Sequence, residues 1–304
     1  MVTMSASLNN VLLINALVGL CKPDLKWPRD LYLLGYSTVC LELEVETRKG
    51  KKVKPDLVLA STKQAYCLVI ESKTGTIDSS SSQLKNYQSL TIADVTTKLL
   101  ATGVKNFCVA MVCLEGNEKT VVRSIVNQKH NFPVIAVKTK SIKLVKNEIS
   151  DSDTEKPLKK GIKISLDKAP QGYMNFDHES SFDEIAPHLL QELITAAASN
   201  STPIANTELT RRAFGDLWSI YLDGKQQGKM RKQVCRLLLE AETKELKGYL
   251  EHTERGGEYY WSVHYGKAAG KYPAAQLKGL KTKSKNLLNR LRKEVTQPAL
   301  FEIY

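Results

Sequence analysis

Lys54-Pro55-Asp56-Leu57-Val58-Leu59, followed by Leu68-Val69-Ile70-Glu71-Ser72-Lys73-Thr74-Gly75, is the stretch on which the fold turns. The apolar runs Leu57–Ala60 and Tyr66–Ile70 are short and bounded by polar residues, which predicts neighbouring strands of one sheet. The first strand has an acid at its head, and the second has an acid and a lysine near its end. Glu71 and Lys73 are two apart, so on a strand they share a face. Fourteen residues separate Asp56 from Glu71, which suits an antiparallel pair that brings the two carboxylates together. Such a pair is a hard-oxygen donor set of the kind that Mg²⁺ or Mn²⁺ prefers, with water completing the octahedron. A lysine beside it can orient a water and offset charge on a phosphoryl oxygen, and phosphodiester hydrolysis needs both.

Outward from this centre, the first 148 residues alternate between helical and extended patterns. Residues 6–20 carry a helical apolar surface that includes Leu8, Val11, Leu12 and Leu17. From Tyr36 to Glu46, Val39, Leu41, Leu43 and Val45 alternate with Cys40, Glu42, Glu44 and Glu46, which predicts a half-buried strand. The basic turn Arg48–Lys52 follows. A serine-rich loop, Ser79–Ser82, precedes an expected helix from Gln83 to about Leu100. Phe107–Cys113, Pro133–Lys138 and Ile142–Val145 read as strands and Lys119–Gln128 as a helix. The expected class is α/β, a mixed sheet with helices on its faces.

Pro55-Asp56 and, fourteen residues on, Glu71-Ser72-Lys73 resemble the PD-(D/E)XK, or restriction-endonuclease-like, nuclease superfamily. The resemblance covers roughly residues 1–140 and includes the element order of that family's αβββαβ core. It implies that Asp56 and Glu71 bind Mg²⁺ or Mn²⁺, that Lys73 acts on the attacking water and that the Ser72 carbonyl is a further ligand. Gln83 and Tyr87, on one helical face, resemble the Q-x-x-x-Y motif of RecB-like members, which lies by the metal site and contacts substrate. Many members carry a glutamate on the first helix, and residues 6–20 contain no acid. Glu42, Glu44 or Glu46 could replace it, and Glu44 is the expected substitute.

Polar, mixed-charge residues mark a joint at 149–181, most plainly over Asn147–Lys160, between a nuclease domain at 1–148 and a second domain at 182–304. Helices are expected at Phe182–Ala198, with a Ser181/Glu184 capping box, at Thr207–Tyr221, at Lys225–Ala241 and at about Ala274–Val295. Tyr249–Thr253 and Glu258–His264 form a hairpin across Glu254-Arg255-Gly256-Gly257. Lys225, Lys229, Lys232 and Arg236 make one stripe opposite Met230, Val234, Leu237 and Leu238. With Arg255 at the tip of a wing, this is the pattern of a winged-helix-like DNA reader. The last helix adds Lys278, Lys281, Lys283, Lys285, Arg290, Arg292 and Lys293 on one side and Leu277, Leu280, Leu287, Leu288 and Leu291 on the other. Phosphate contact and packing against another domain or subunit both remain open for it.

Composition agrees. The 304 residues carry a net charge of +12, a prior for a polyanionic partner. Residues 1–150 hold 20 basic and 12 acidic side chains, 151–200 hold 5 and 9, and 201–304 hold 19 and 11. No apolar run approaches the roughly 20 residues of a membrane helix. Val11–Leu20 is interrupted by Asn15 and lacks the flanks of a secretory signal. Six cysteines without metal-type pairing fit buried thiols in a reducing, cytoplasmic compartment. The expectation is a metal-dependent DNA endonuclease that acts as a homodimer or with a partner subunit when it cuts both strands. The domain pairing resembles the endonuclease subunit of heteromeric bacterial transposases and some restriction or defence nucleases. A non-catalytic DNA-binding or assembly protein that keeps the nuclease scaffold is the alternative.

Overall fold

The computed structural model describes residues 6–24, 26–74, 82–221, 223–264 and 273–296. Ser79–Ser81 of the serine-rich loop, and the side chains of Leu8, Leu277 and Val295, lie outside the described residues. The chain divides into two compact units. The first comprises residues 1–174 with 219–223, and the second 175–218 with 224–304.

In the first unit the order is α1 (Ala6–Leu20), α2 (Asp30–Leu33), β1 (Tyr36–Leu41), β2 (Val45–Glu46), β3 (Lys52–Val53), β4 (Leu57–Ser61), β5 (Tyr66–Lys73), α3 (Gln83–Tyr87), α4 (Ile92–Thr97), β6 (Asn106–Leu114), α5 (Glu118–Asn127), β7 (Val134–Val137), β8 (Ser141–Lys146), α6 (Ser152–Lys160) and β9 (Ile162–Lys163). Seven strands form a mixed sheet in the order β1-β4-β5-β6-β7-β8-β9, flanked by helices. The strands β5, β6 and β7 run parallel, and the pairings outside them are antiparallel. Central strands covered on both faces read as continuous apolar runs, and every residue of β4 is buried, as are Tyr66–Glu71 of β5. Val58, Ala60, Cys67 and Val69 share one core with Leu84, Tyr87, Val95, Val121 and Ile125 of the helices that follow and with Leu99 just beyond α4. On α1 all residues from Leu13 to Leu20 are buried, which is why this helix is apolar nearly all round. Its Gly19 admits a close approach, since a Cβ there would stand 2.7 Å from Trp27 Cδ1 and 2.8 Å from Pro170 Cγ.

Three expectations change here. The continuous strand 36–46 is broken by a bulge between Thr38 and Cys40 and by Glu42, whose φ is 47°. The bulge shifts the alternation, so Cys40, Leu41 and Glu42 are all buried and Val39 only partly. The helix expected from Gln83 to Leu100 is two helices, because Thr91 and Asp94 form a capping box that starts α4 anew. The stretch 149–174 is no linker. Asp151 caps α6 at Thr154 N (2.9 Å), Thr154 Oγ1 lies 2.6 Å from the buried Tyr36 hydroxyl, and β9 extends the sheet. The unit closes where the Asn15 side chain bonds both Met174 N (2.9 Å) and Met174 O (2.7 Å).

The second unit contains α7 (Phe182–Ala198), β10 (Ile204–Ala205), α8 (Asn206–Phe214), a 3₁₀ turn (Asp216–Ile220, its last two residues in the first unit), α9 (Gly224–Thr243), β11 (Leu250–Arg255), β12 (Glu258–Val263) and α10 (Pro273–Thr296). The helix expected at 207–221 stops at Phe214 because Gly215 turns the chain with a φ of 113°. Gly256 and Gly257, both at positive φ, form the two-residue hairpin turn. The two-residue strand β10, too short for any periodicity, pairs with Tyr260 and Trp261 to give the sheet order β10-β12-β11. Leu189, Leu193, Leu209, Phe214, Leu237 and Trp261 are among the residues that build the core.

Candidate active site

Leu57 pairs with Ile70, so one further step along the antiparallel register sets Asp56 opposite Glu71. Asp56 Oδ2 accepts hydrogen bonds from Ser72 N (2.6 Å) and Ser72 Oγ (2.8 Å). The Ser72 hydroxyl also lies 2.6 Å from Asn10 Oδ1 on α1. Glu71 Oε1 accepts from Lys73 Nζ and from Gln83 Nε2, both at 2.7 Å, while Tyr87 OH donates to Glu71 Oε2 at 2.5 Å. Lys73 Nζ also donates to Gln83 Oε1 at 2.9 Å. Asp56, Ser72 and Asn10 are one hydrogen-bonded group and Glu71, Lys73, Gln83 and Tyr87 another, and the neighbouring charges of Asp56 and Glu71 couple the two into one cluster.

The cluster is short of positive charge. Among the described residues Asp56 forms no salt bridge. Burial, then the nearby charge of Glu71, raise its carboxyl well above the ordinary value of 3.8; the Ser72 N–H opposes this, and Glu42 adds to it. Burial and the charges of Glu71 and Asp56 likewise push the Tyr87 hydroxyl up, so it stays protonated and donates. A carboxylate offers about four lone-pair sites. Three on Glu71 are taken, and both bonds to Asp56 fall on Oδ2, which leaves acceptor capacity on each acid. Among the described residues no group of three or more His, Cys, Asp or Glu is gathered as a metal cage. Two carboxylates with spare acceptor capacity are hard-oxygen donors of the kind that a hydrated Mg²⁺-type ion takes while keeping several waters.

Glu44, the expected upstream acid, stands apart. Its side chain is 56% exposed and pairs with Lys52 at 3.3 Å. The bulged strand instead buries Glu42, whose backbone N–H bonds Asp56 O at 3.3 Å. Glu42 pairs with Lys54 at 2.6 Å, and Lys54 also reaches Asp223 at 3.3 Å. Burial opposes the Lys54 charge, but the bonds and charges of Glu42 and Asp223 outweigh it and raise its pKa. Sequence reasoning also missed Asn10, a polar residue in an apolar helix whose spacing gave no sign of where it points.

On α9, Lys225, Lys229, Lys232 and Arg236 are exposed. The Arg236 guanidinium lies 5.8 Å from the Phe182 ring centroid, and Arg255 at the hairpin tip lies 5.6 Å from that of Tyr260. Arg231 and Lys232 line a groove of about 280 Å³ with Thr207, Gly257 and Tyr259. The carboxylate of Glu258 caps α8 by accepting from Thr207 N at 2.7 Å.

Residues 9–174, more than half of the chain, match the family model described as the MJECL32 domain. The chain belongs to the MJECL32 domain family. The match ends at Met174, where the main segment of the first unit ends, so this MJECL32 domain includes α6 and β9 as well as the acidic cluster. No curated protein matches the chain. A solved structure titled "cryoEM structure DrdV-DNA complex" is similar at 12% identity and a TM-score of 0.15, covering 89% of this chain and 23% of that one. That likeness is too low to carry an argument. The six cysteines form no disulfide, and among the described residues no helix is long and apolar enough to cross a membrane.

Proposed function

We propose that this chain is a metal-dependent deoxyribonuclease with a restriction-endonuclease-like catalytic unit and a winged-helix-like DNA-binding unit. The observation that carries the reading is the register of β4 and β5, which gathers Asp56, Glu71 and Lys73 beside Gln83 and Tyr87. The run of α1, three antiparallel strands, two short helices and a parallel strand supports the nuclease core. The order α7-β10-α8-α9-β11-β12 supports the winged helix, with α9 as reader and Arg255 on the wing.

Asp56 and Glu71, with the Ser72 carbonyl, would hold Mg²⁺ or Mn²⁺. The ion supplies Lewis-acid polarisation of the phosphodiester and a bound water of lowered pKa. Lys73, fixed by Glu71 and Gln83, orients the attacking water and offsets charge on the phosphoryl oxygens. Tyr87 and Gln83 hold the Glu71 carboxylate in place. Lys225, Lys229, Lys232 and Arg236 contact the DNA backbone. Cutting both strands requires two such sites, hence a homodimer or a partner subunit, and the free thiols fit a reducing cytoplasm.

The test is incubation with plasmid, linear and branched DNA, with and without Mg²⁺ or Mn²⁺. Metal-dependent cleavage that is lost in Asp56→Ala and in Lys73→Ala, with DNA binding retained, is the expected result. Unchanged cleavage by Asp56→Ala overturns the catalytic assignment. DNA affinity without any metal binding at Asp56/Glu71 would make the chain a non-catalytic binder on a nuclease scaffold.

A further inference from the structure

The second unit carries a cationic surface separate from the α9 stripe. Between Lys278 and Lys293, α10 contains no acid. Lys278, Lys281, Lys283 and Lys285 are all exposed there, and none of the four forms a salt bridge among the described residues. Elsewhere many cations are already neutralised. Arg211 and Arg212 share Glu208, Lys244 pairs with Glu240, and Arg290 on α10 itself binds Glu240, Glu245 and Glu294 at 2.6–2.8 Å. Lys278, Lys281 and Lys285 are three and four residues apart, so they form one ridge about 10 Å long on the helix surface.

The helix is also fixed in place. Leu280, Leu287 and Leu291 are buried, and α10 packs on α7. A Cβ at Gly279 would lie 2.7 Å from the Tyr249 hydroxyl, so the helix passes close to that ring. Arg290 ties its far half to Glu240 on α9 and to Glu245 just beyond that helix. A membrane-surface helix needs a free apolar face, and here that face is spent in the core. Unpaired lysines without acids between them suit a repeating phosphate backbone, which takes them as point charges with no demand for a fixed geometry.

We infer that the Lys278–Lys285 face of α10 binds the phosphate backbone of nucleic acid as a second contact surface, alongside α9. The inference rests on the DNA-binding part of the proposed function. Its test uses the full-length protein in EDTA, so that no strand is cut, with a labelled random-sequence duplex titrated at several salt concentrations. The variants are K278Q/K281Q/K285Q and, as a milder version, K278Q/K285Q, with K229Q/K232Q on α9 as the comparison. Since each neutralised phosphate contributes about 0.9 to the slope of log K against log salt, the triple variant should flatten that slope by about 3 and the double by about 2. An unchanged slope in both α10 variants, while K229Q/K232Q flattens it, overturns the inference and leaves the DNA-binding reading standing. A wild-type protein that binds no duplex at any salt overturns both. Binding to phosphatidylserine vesicles, lost in the α10 variants while duplex affinity stays unaltered, assigns the surface to membranes and likewise overturns the inference.

Discussion

Lys73 in the first unit and Lys278, Lys281, Lys283 and Lys285 in the second carry the same charge under opposite conditions. Lys73 is 13% exposed and held by Glu71 and Gln83 at 2.7 and 2.9 Å. The α10 lysines are exposed and form no ion pair among the described residues. A largely covered, doubly bonded ammonium is preorganised: its position is set in folding, and salt screens it less than an exposed one. An exposed, unpaired ammonium holds no geometry and its interactions fade with ionic strength. The first arrangement suits chemistry on one bond and the second suits holding a long polyanion. The two regions should therefore respond to different perturbations, the cluster to substitution and pH and the basic helices to salt.

The largest effect belongs to the cluster. Asp56→Ala or Lys73→Ala should lower metal-dependent cleavage by at least about 10³-fold, in line with the removal of a preorganised electrostatic group, while duplex affinity measured in EDTA changes little. If either variant instead lost duplex affinity and kept turnover, the division of labour between the regions would be wrong.

Ser72→Ala and Asn10→Ala come next. Neither residue is charged, yet Ser72 holds Asp56 Oδ2 and Asn10 holds the Ser72 hydroxyl. Partners that orient a metal-binding carboxylate typically account for 10–100-fold in affinity. Mn²⁺ titration by calorimetry should show a loss of that order in both variants, with Ser72→Thr closer to wild type. The salt slope of DNA binding should not move. Mn²⁺ affinity equal to wild type in both would show that Asp56 is oriented without them.

How much of this cluster was readable in advance follows from the kind of signal each residue leaves. Glu71 and Lys73 sit on a strand, and Asp56 at the head of its antiparallel neighbour, so their meeting is legible from spacing. Gln83 and Tyr87 are one helical turn apart, and the face they share needs no tertiary knowledge. Glu42 was hidden because the bulge in β1 and the left-handed turn at Glu42, with a φ of 47°, end the alternation there, and spacing alone did not separate Glu42 from the exposed Glu44. Asn10 lies in a helix whose apolar surface is nearly continuous, and a neutral amide there has no charge pattern to announce it. The supposed linker failed for a related reason. α6 is polar apart from Pro157 and Leu158, its two buried residues are Thr154 and Leu158, and composition cannot weigh two contacts that tie a whole helix to the sheet. In the second unit, the apolar stripe, the capping box and the Gly-Gly turn were legible, while β10 was too short to leave any periodicity.

Acidity separates the regions further. A carboxyl whose pKa rises on folding binds its proton more tightly in the native state. Its contribution to stability is complete below the unfolded value and is lost as pH climbs through the native one. Asp56 is such a group, raised by burial first and by Glu71 second. In metal-free protein Asp56→Asn should therefore raise the melting temperature at pH 7, by the equivalent of about 1.4 kcal/mol for each pKa unit, and the gain should vanish toward pH 4. Added Mg²⁺ should stabilise the wild type at pH 7 and leave Asp56→Asn unmoved. An Asp56→Asn protein no more stable than wild type at pH 7 would mean that the buried charge is already compensated, which removes the electrostatic reason for a cation there.

The smallest effect should come from Lys229→Gln/Lys232→Gln on α9. All four stripe residues are exposed, so this variant removes two of the four charges proposed to meet the backbone. Their loss should weaken duplex binding only modestly at 200 mM salt and more strongly at 50 mM, with the slope of log K against log salt falling by about 2. Turnover at saturating DNA should be unchanged, because no lysine of α9 belongs to the cluster that bonds Glu71. A variant that lost turnover at saturation as well would tie the α9 charges to the chemical step, and the contrast between a preorganised lysine and a screened one would no longer separate catalysis from binding.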